Sequence, residues 1–263
     1  MNRPLQQGAS GEYQVVGQNL RTLLYYVVCA AVMPLHVVAL LLCAPAPFRY
    51  RYAIACHWIA IQHFVLRHVV GLNYQVEGLD NIPAGGAVLY CKHQSMVECI
   101  TTQMFLPPQT WVIKRELLWV PVFGWGLALL NPIAIDRRAG RSAVEQIVSQ
   151  GRALFKRGIW VVIFPEGTRM PPGETRRYGL GGAVLASETG VPVVPLAHNA
   201  GRFWLKGRLV IQPGTFRVRI GPPIATEGLT PEEINAKARA WMDQAMAEID
   251  TPEVEVARPV VAR

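Results

Sequence analysis

Charge is scarce in this chain: Asp, Glu, Lys and Arg make up 17% of 263 residues, against 51% apolar residues. One soluble domain does not ordinarily need so large an apolar share for its core, so part of that surface must be covered in some other way. Acidic residues are the scarcer sign, 18 against 26 Lys and Arg, and the formal net charge of +8 points to an anionic partner. Zinc-finger spacing and a lysine-rich tail are both lacking, and arginines lie scattered among apolar segments; that pattern favours phospholipid headgroups and argues against nucleic acid. The cysteines (Cys29, Cys43, Cys56, Cys91 and Cys99) are odd in number and form no C-x-x-C pair. A disulfide framework and a cysteine metal site are therefore not expected, and a reducing compartment is the default. No internal repeat is visible.

The longest stretch without charge is 22–48, long enough for the about 20 residues of a membrane-crossing helix. It is too long for a secretory signal and shows no small-residue cleavage site. Pro34 divides it into pieces of roughly 12 residues, each about 18 Å as helix and short of a ~30 Å hydrocarbon core. Basic residues stand at both ends, Arg3 and Arg21 before, Arg49 and Arg51 after, so loop charge gives no direction. A re-entrant hairpin with both ends on the cytosolic side satisfies both facts. The following stretch, 52–72, mixes Ile, Trp, Phe and Val with His57, His63, Arg67 and His68, and reads as an interfacial amphipathic helix. Two buried core helices are the alternative.

From about residue 73 short apolar runs alternate with helix-like stretches. The expected strands are 87–91, 110–113, 133–135, 160–164, 193–197 and 216–220; the expected helices are 96–105, 142–156, 183–189 and 231–249. Such alternation predicts an α/β fold with a mixed, mostly parallel sheet flanked by helices. It is preceded here by an N-terminal apolar helical membrane anchor. The expected division is 1–72 for the anchoring helices, 73–250 for the catalytic domain and 251–263 for a loose tail. The last helix has a legible start, with Thr230 as N-cap, Pro231 at the first position and Glu233 three on.

Four segments carry chemistry. Lys92-His93-Gln94-Ser95-Met96-Val97-Glu98 directly follows the 87–91 strand, and strand ends are where α/β sheets place ligand sites. On one helix, residues five apart point about 140° away from each other. His93 and Glu98 therefore meet only if the histidine sits in the turn and the glutamate in the first helical turn, an arrangement of base and orienting acid. Ser95-x-x-Glu98 equally fits a capping box without catalysis. In Phe164-Pro165-Glu166-Gly167-Thr168-Arg169, Gly167 permits a tight turn and Arg169 presents a fork suited to phosphate; a surface loop with an ion pair is the plainer reading. Asn131–Arg138 is a strand ending in charge, Val191–Pro195 an apolar strand, and Lys114 closes a further strand.

Together these blocks, spread over roughly 78–221, resemble the lysophospholipid acyltransferase family, the 1-acylglycerol-3-phosphate acyltransferases. The 131–138 block is similar to the family's motif ending in I-D-R, 164–169 to F-P-E-G-T-R, the Lys114 segment to K-x-E-L, and 191–195 to V-P-V-x-P. In the first motif, usually N-H-x-x-x-x-D, Lys92 stands for the asparagine and Glu98 for the aspartate, and Met170 follows Arg169 where serine is usual. The resemblance implies acyl transfer from a thioester, acyl-CoA or acyl-carrier-protein, to the sn-2 hydroxyl of 1-acyl-sn-glycerol-3-phosphate, giving phosphatidic acid in phospholipid biosynthesis. His93 would be the general base and Glu98 its partner. Lys114, Arg137, Glu166, Gly167, Thr168 and Arg169 would bind the acceptor, with Glu166 fixing an arginine or a glycerol hydroxyl. Backbone N–H groups near Gly167 would face the oxyanion. No metal or organic cofactor is implied, and Ser95 lacks the G-x-S-x-G turn of a nucleophilic serine. Membrane phospholipids and carrier protein are the implied partners, at the cytosolic face of the cell membrane. The segment 119–127, rich in Trp and Gly, is a candidate acyl tunnel, with core or membrane-facing surface as alternatives. Another lysolipid acceptor (a lyso-ornithine lipid or lysophosphatidylglycerol), a thioesterase and a non-catalytic membrane-binding relative are the rival functions.

Overall fold

The computed structural model describes residues 8–250. The tail expected at 251–263, and Arg3 as a flank of the first apolar run, lie outside the described residues. Two long helices come first: α1 (Gly8–Leu42), and α2 (Phe48–Val65), which runs on as a π-helical turn through Leu66–Val70. The chain does not reverse at Pro34, which lies inside α1. Proline removes one N–H and costs about 3 kcal/mol in a helix interior. Here Tyr25, Val37 and Leu40 bury on both sides of it and hold the helix together. The reversal comes at 43–47, where Ala46 N–H donates to Cys43 O at 2.9 Å and Pro45 and Pro47 break the helical pattern. Val16–Leu42 and Phe48–Val70 are each long and apolar enough to cross a membrane. Leu23, Val27, Leu35, Val38 and Leu42 stand exposed along α1.

Seven strands follow: β1 (Leu72–Glu77), β2 (Val88–Cys91), β3 (Gln109–Lys114), β4 (Ile133–Ile135), β5 (Trp160–Ile163), β6 (Val193–His198) and β7 (Gly214–Ile220). Their order is β1-β7-β6-β2-β5-β3-β4, and every pairing is parallel except the antiparallel β6–β7. The expectation of a mixed, mostly parallel sheet holds. Six strands were legible as apolar runs. The seventh, β1, is an edge strand in which Asn73, Gln75 and Glu77 alternate with partly buried residues, so it offers no apolar run to find.

The remaining helices are α3 (Val97–Thr101), α4 (Phe123–Ala128), α5 (Arg141–Phe155), α6 (Gly181–Thr189) and α7 (Pro231–Asp250). They divide between the two faces as the strand alternation dictates. Leu89, Cys91, Trp160 and Val162 join one core with Tyr25, Leu40, Ala55 and Leu66 of the first two helices. Val88, Tyr90, Val161 and Ile163 point the other way, into a core shared with α5, α6 and α7. The N-terminal helices thus pack directly on the sheet. The expected helix 96–105 is shorter than predicted: α3 gives way to a 3₁₀ turn, Thr102–Met104. At α7 the capping box forms, with Glu233 Oε2 accepting from Thr230 N at 2.8 Å and Thr230 Oγ1 from Glu233 N at 3.3 Å.

One buried network fixes the strand that leads to the site. Tyr90 donates its hydroxyl to Asn235 Oδ1 at 2.9 Å, and Asn235 Nδ2 donates to Gly179 O at 3.2 Å. Asn235→Leu leaves both Tyr90 and Gly179 without this partner inside the core, and is expected to cost about 1–3 kcal/mol of unfolding free energy. Equilibrium unfolding of the solubilised protein checks this; an unchanged midpoint would mean that the network adds nothing.

Candidate active site

β2 delivers Lys92 and His93 beyond the centre of the sheet, and the chain turns immediately into α3. That turn brings the histidine and the acid together: His93 Nδ1 lies 2.8 Å from Glu98 Oε1. The same carboxylate accepts from Gln94 N at 3.1 Å and Ser95 N at 2.9 Å. Glu98 thus gathers the amides of the turn and partners the imidazole, but the Ser95–Glu98 capping box does not close: Ser95 Oγ accepts from Val97 N at 3.4 Å, and α3 begins after Met96 without a side-chain cap. Burial opposes the Glu98 charge, but the neighbouring His198 and the hydrogen bonds donated by the His93 ring and Ser95 amide outweigh this. The carboxyl ends below the usual carboxylate range. An ionised carboxylate only accepts, so the His93 proton sits on Nδ1 and Nε2 carries the lone pair.

The opposite wall is the turn after β5. Phe164 stacks on the imidazole at 3.9 Å between centroids, and Met170 N donates to His93 O at 2.8 Å. Gly167 takes φ +70°, which only glycine adopts cheaply. Its N–H is committed to Phe164 O at 2.9 Å, so this amide is removed from the expected oxyanion donors. The guanidinium of Arg137 donates to Gly167 O. Glu166 departs from expectation: its carboxylate fixes neither an arginine nor an open position for a glycerol, but lies buried against Lys92 Nζ at 2.5 Å.

A cavity of about 370 Å³ opens at His93, Lys114, Arg137 and Arg169, a size suited to one organic ligand. Its inner walls are apolar, with Val37 and Leu40 of α1, Ile59 of α2, Trp111 of β3 and Leu127 of α4 among them. Four of the expected site residues thus share one cavity. Glu98 stands behind His93, Glu166 turns inward, and Gly167 and Thr168 form the adjoining turn. The 119–127 segment divides two ways. Phe123, Gly126 and Leu127 line the cavity, whereas Trp119 and Trp125 are 68% and 54% exposed. Gly126 makes room for α1, since a Cβ there would come within 2.9 Å of Val37 Cγ2.

His198, outside the blocks singled out in the sequence, is integral to the site. Fully buried at the end of β6, it holds Lys92 O through Nε2 at 2.7 Å and accepts Ala200 N at Nδ1 at 3.2 Å. The signal was its position three residues past the 191–195 motif, at the end of the strand paired with β2. Among the N-terminal histidines, His57 meets His36 at 2.9 Å, His63 packs edge-on to Tyr74 and His68 lies over Phe64. His93, Glu98 and Cys99 bring their ligand atoms within 4.8 Å of one another. Burial pushes the Cys99 thiol up, so it stays protonated, and the Glu98 oxygens are occupied by N–H donors. That donor set suits proton transfer better than a cation.

Residues 73–199 match the family model described as Acyltransferase. A 1-acyl-sn-glycerol-3-phosphate acyltransferase of Pseudomonas aeruginosa is 43% identical over 247 residues, covering 92% of this chain and 96% of that protein. The human 1-acyl-sn-glycerol-3-phosphate acyltransferase alpha is 31% identical over 176 residues, 66% of this chain and 62% of that one. A crystal structure of the 1-acyl-sn-glycerophosphate acyltransferase from Thermotoga maritima superimposes with a TM-score of 0.75 at 21% identity, covering 90% of this chain and 99% of that one, and shares the fold. With an imidazole–carboxylate pair at the mouth of an apolar cavity and similarity along nearly its full length to the Pseudomonas aeruginosa enzyme, the chain belongs to the 1-acyl-sn-glycerol-3-phosphate acyltransferase family.

Proposed function

We propose that the protein transfers a fatty acyl group from a thioester to the sn-2 hydroxyl of 1-acyl-sn-glycerol-3-phosphate, yielding phosphatidic acid. The observation that carries this reading is the His93–Glu98 pair, 2.8 Å apart, at the polar end of an apolar cavity ringed by Lys114, Arg137 and Arg169. His93 Nε2 takes the hydroxyl proton as the oxygen attacks the thioester carbonyl; Glu98 steadies the imidazolium that forms, and the thiolate leaves with the proton. The three cations take the acceptor phosphate, and the apolar walls take an acyl chain. Glu166 acts indirectly, by holding the turn that carries Arg169. The amides of Thr168 and Arg169 serve the oxyanion in place of that of Gly167.

The exposed apolar face of α1 seats the protein in a membrane, with the catalytic part on the cytosolic side, where thioester donors occur. The donor is acyl-CoA or acyl-carrier-protein, and the net positive charge favours an acidic carrier. The chemistry uses no metal or organic cofactor. A panel of lysolipids offered with one acyl donor tests the reading: transfer to lysophosphatidic acid supports it, and transfer only to a different headgroup, or to none, overturns it.

Removal of the base by His93→Ala is expected to lower kcat by about 10²–10⁴-fold while the protein stays folded. Glu98→Gln should lower kcat with little change in acceptor KM, and Arg169→Ala should raise acceptor KM more than it lowers kcat. Steady-state kinetics in the same panel separates these outcomes. Stability has its own pH dependence. Burial holds the His198 imidazole below its ordinary value, whereas the unfolded chain takes that proton near its reference value of about 6.5. Unfolding therefore binds a proton, and stability is full above about pH 6.5 and lost as pH falls below it. Unfolding midpoints between about pH 5 and 7.5 should show a flatter acid limb for His198→Asn than for wild type; equal limbs would place the dependence elsewhere.

A further inference from the structure

Lys92 stands directly before the base, yet its side chain points away from the cavity and into the protein. Its ammonium reaches Glu166 Oε1 at 2.5 Å and Glu174 O at 2.8 Å. These two acceptors lie eight residues apart in the connection between β5 and α6, and Arg169 lies between them. The side chains of Lys92 and Glu166 are 4% and 0% exposed, so the pair is removed from water almost completely. Burying two charges costs about as much as their attraction returns, so a gain in stability does not account for the pair. What it supplies is a defined geometry. The backbone of Lys92 is itself fixed from the neighbouring strand, its N–H donating to Leu196 O at 2.9 Å and its carbonyl accepting from His198 Nε2 at 2.7 Å. The loop in turn meets the base residue at both main-chain groups: Met170 N donates to His93 O at 2.8 Å, and Glu166 Oε2 lies 3.5 Å from His93 N.

We infer that Lys92 is a positioning residue for the reaction: its ammonium clamps both ends of the 166–174 loop and so sets where Arg169 stands relative to His93. The inference rests on the proposed acyl transfer to lysophosphatidic acid. Lys92 touches no substrate, and its effect is carried by the arginine that does. Few side chains perform this role. The ammonium is a compact charge with three donors on a four-carbon stem, which is what two acceptors on separate parts of a loop require.

The test removes the clamp without leaving a buried charge alone. Lys92→Met by itself strands the Glu166 carboxylate and is expected to lose fold and activity together. In the double variant Lys92→Met/Glu166→Gln the amide still offers an oxygen to His93 N, but the tie to Glu174 O is gone. This variant is expected to fold with nearly the wild-type melting temperature. Its KM for lysophosphatidic acid should rise about tenfold or more, with the KM for the acyl donor within about twofold of wild type. A folded double variant with the wild-type acceptor KM would overturn the inference, as would a parallel rise in both KM values with a lowered melting temperature, which marks a general structural role. Failure of the underlying function is distinguishable, because in that case the wild-type protein itself transfers no acyl group to lysophosphatidic acid.

Discussion

A carboxylate without water must be surrounded by donors, and the placement of Glu98 answers to that constraint. Its oxygens collect the amides of Gln94 and Ser95 and the ring N–H of His93. The two amides exist in that position only because the chain turns sharply between β2 and α3. The imidazole N–H is captured only because His93 precedes that turn. The proton is thereby held on Nδ1, and the ring nitrogen facing the cavity is the one left to accept. A single group thus fastens the turn before a helix, sets a tautomer and orients an imidazole. Moving the acid elsewhere would require a different turn.

The site is then closed by elements that have no chemistry of their own. Phe164 packs flat against the imidazole, and the loop after it is fastened to the β2 end by Met170 and by the Lys92–Glu166 pair. On the other side α1 and α2 form the apolar wall. These helices have two faces with different duties. Tyr25, Val37 and Leu40 bury against the sheet side, while Leu35, Val38 and Leu42 stay exposed. One helix thus carries both cavity-lining side chains, Val37 and Leu40, and an exposed apolar row.

How much of this was legible in the sequence depended on whether the determining interaction was local. Strands buried on both faces, such as β2, β5 and β6, read as unbroken apolar runs. The Thr230–Glu233 cap spans three residues and needs nothing distant. The His93–Glu98 meeting followed from spacing once the turn was assumed. By contrast, β1 has no apolar run and is a strand because β7 pairs with it from 214–220, far along the chain. Pro34 argued for a break in α1, and packing against α2 and α4 prevailed over a local preference.

The amino-acid order alone determined the fold class, the blocks that mark the family, and the pairing of His93 with Glu98, because each rests on periodicity, on motif residues or on positions a few residues apart. The tertiary structure decided which cations face the cavity and which acid is sequestered, because these depend on strands separated by many tens of residues coming side by side. Glu166 shows the difference: as a letter in a motif it is an acceptor ligand, and only the approach of Lys92 from the neighbouring strand turns it inward. A side chain's partners are set by the fold, and sequence spacing reports them only when the chain between is too short to allow another answer.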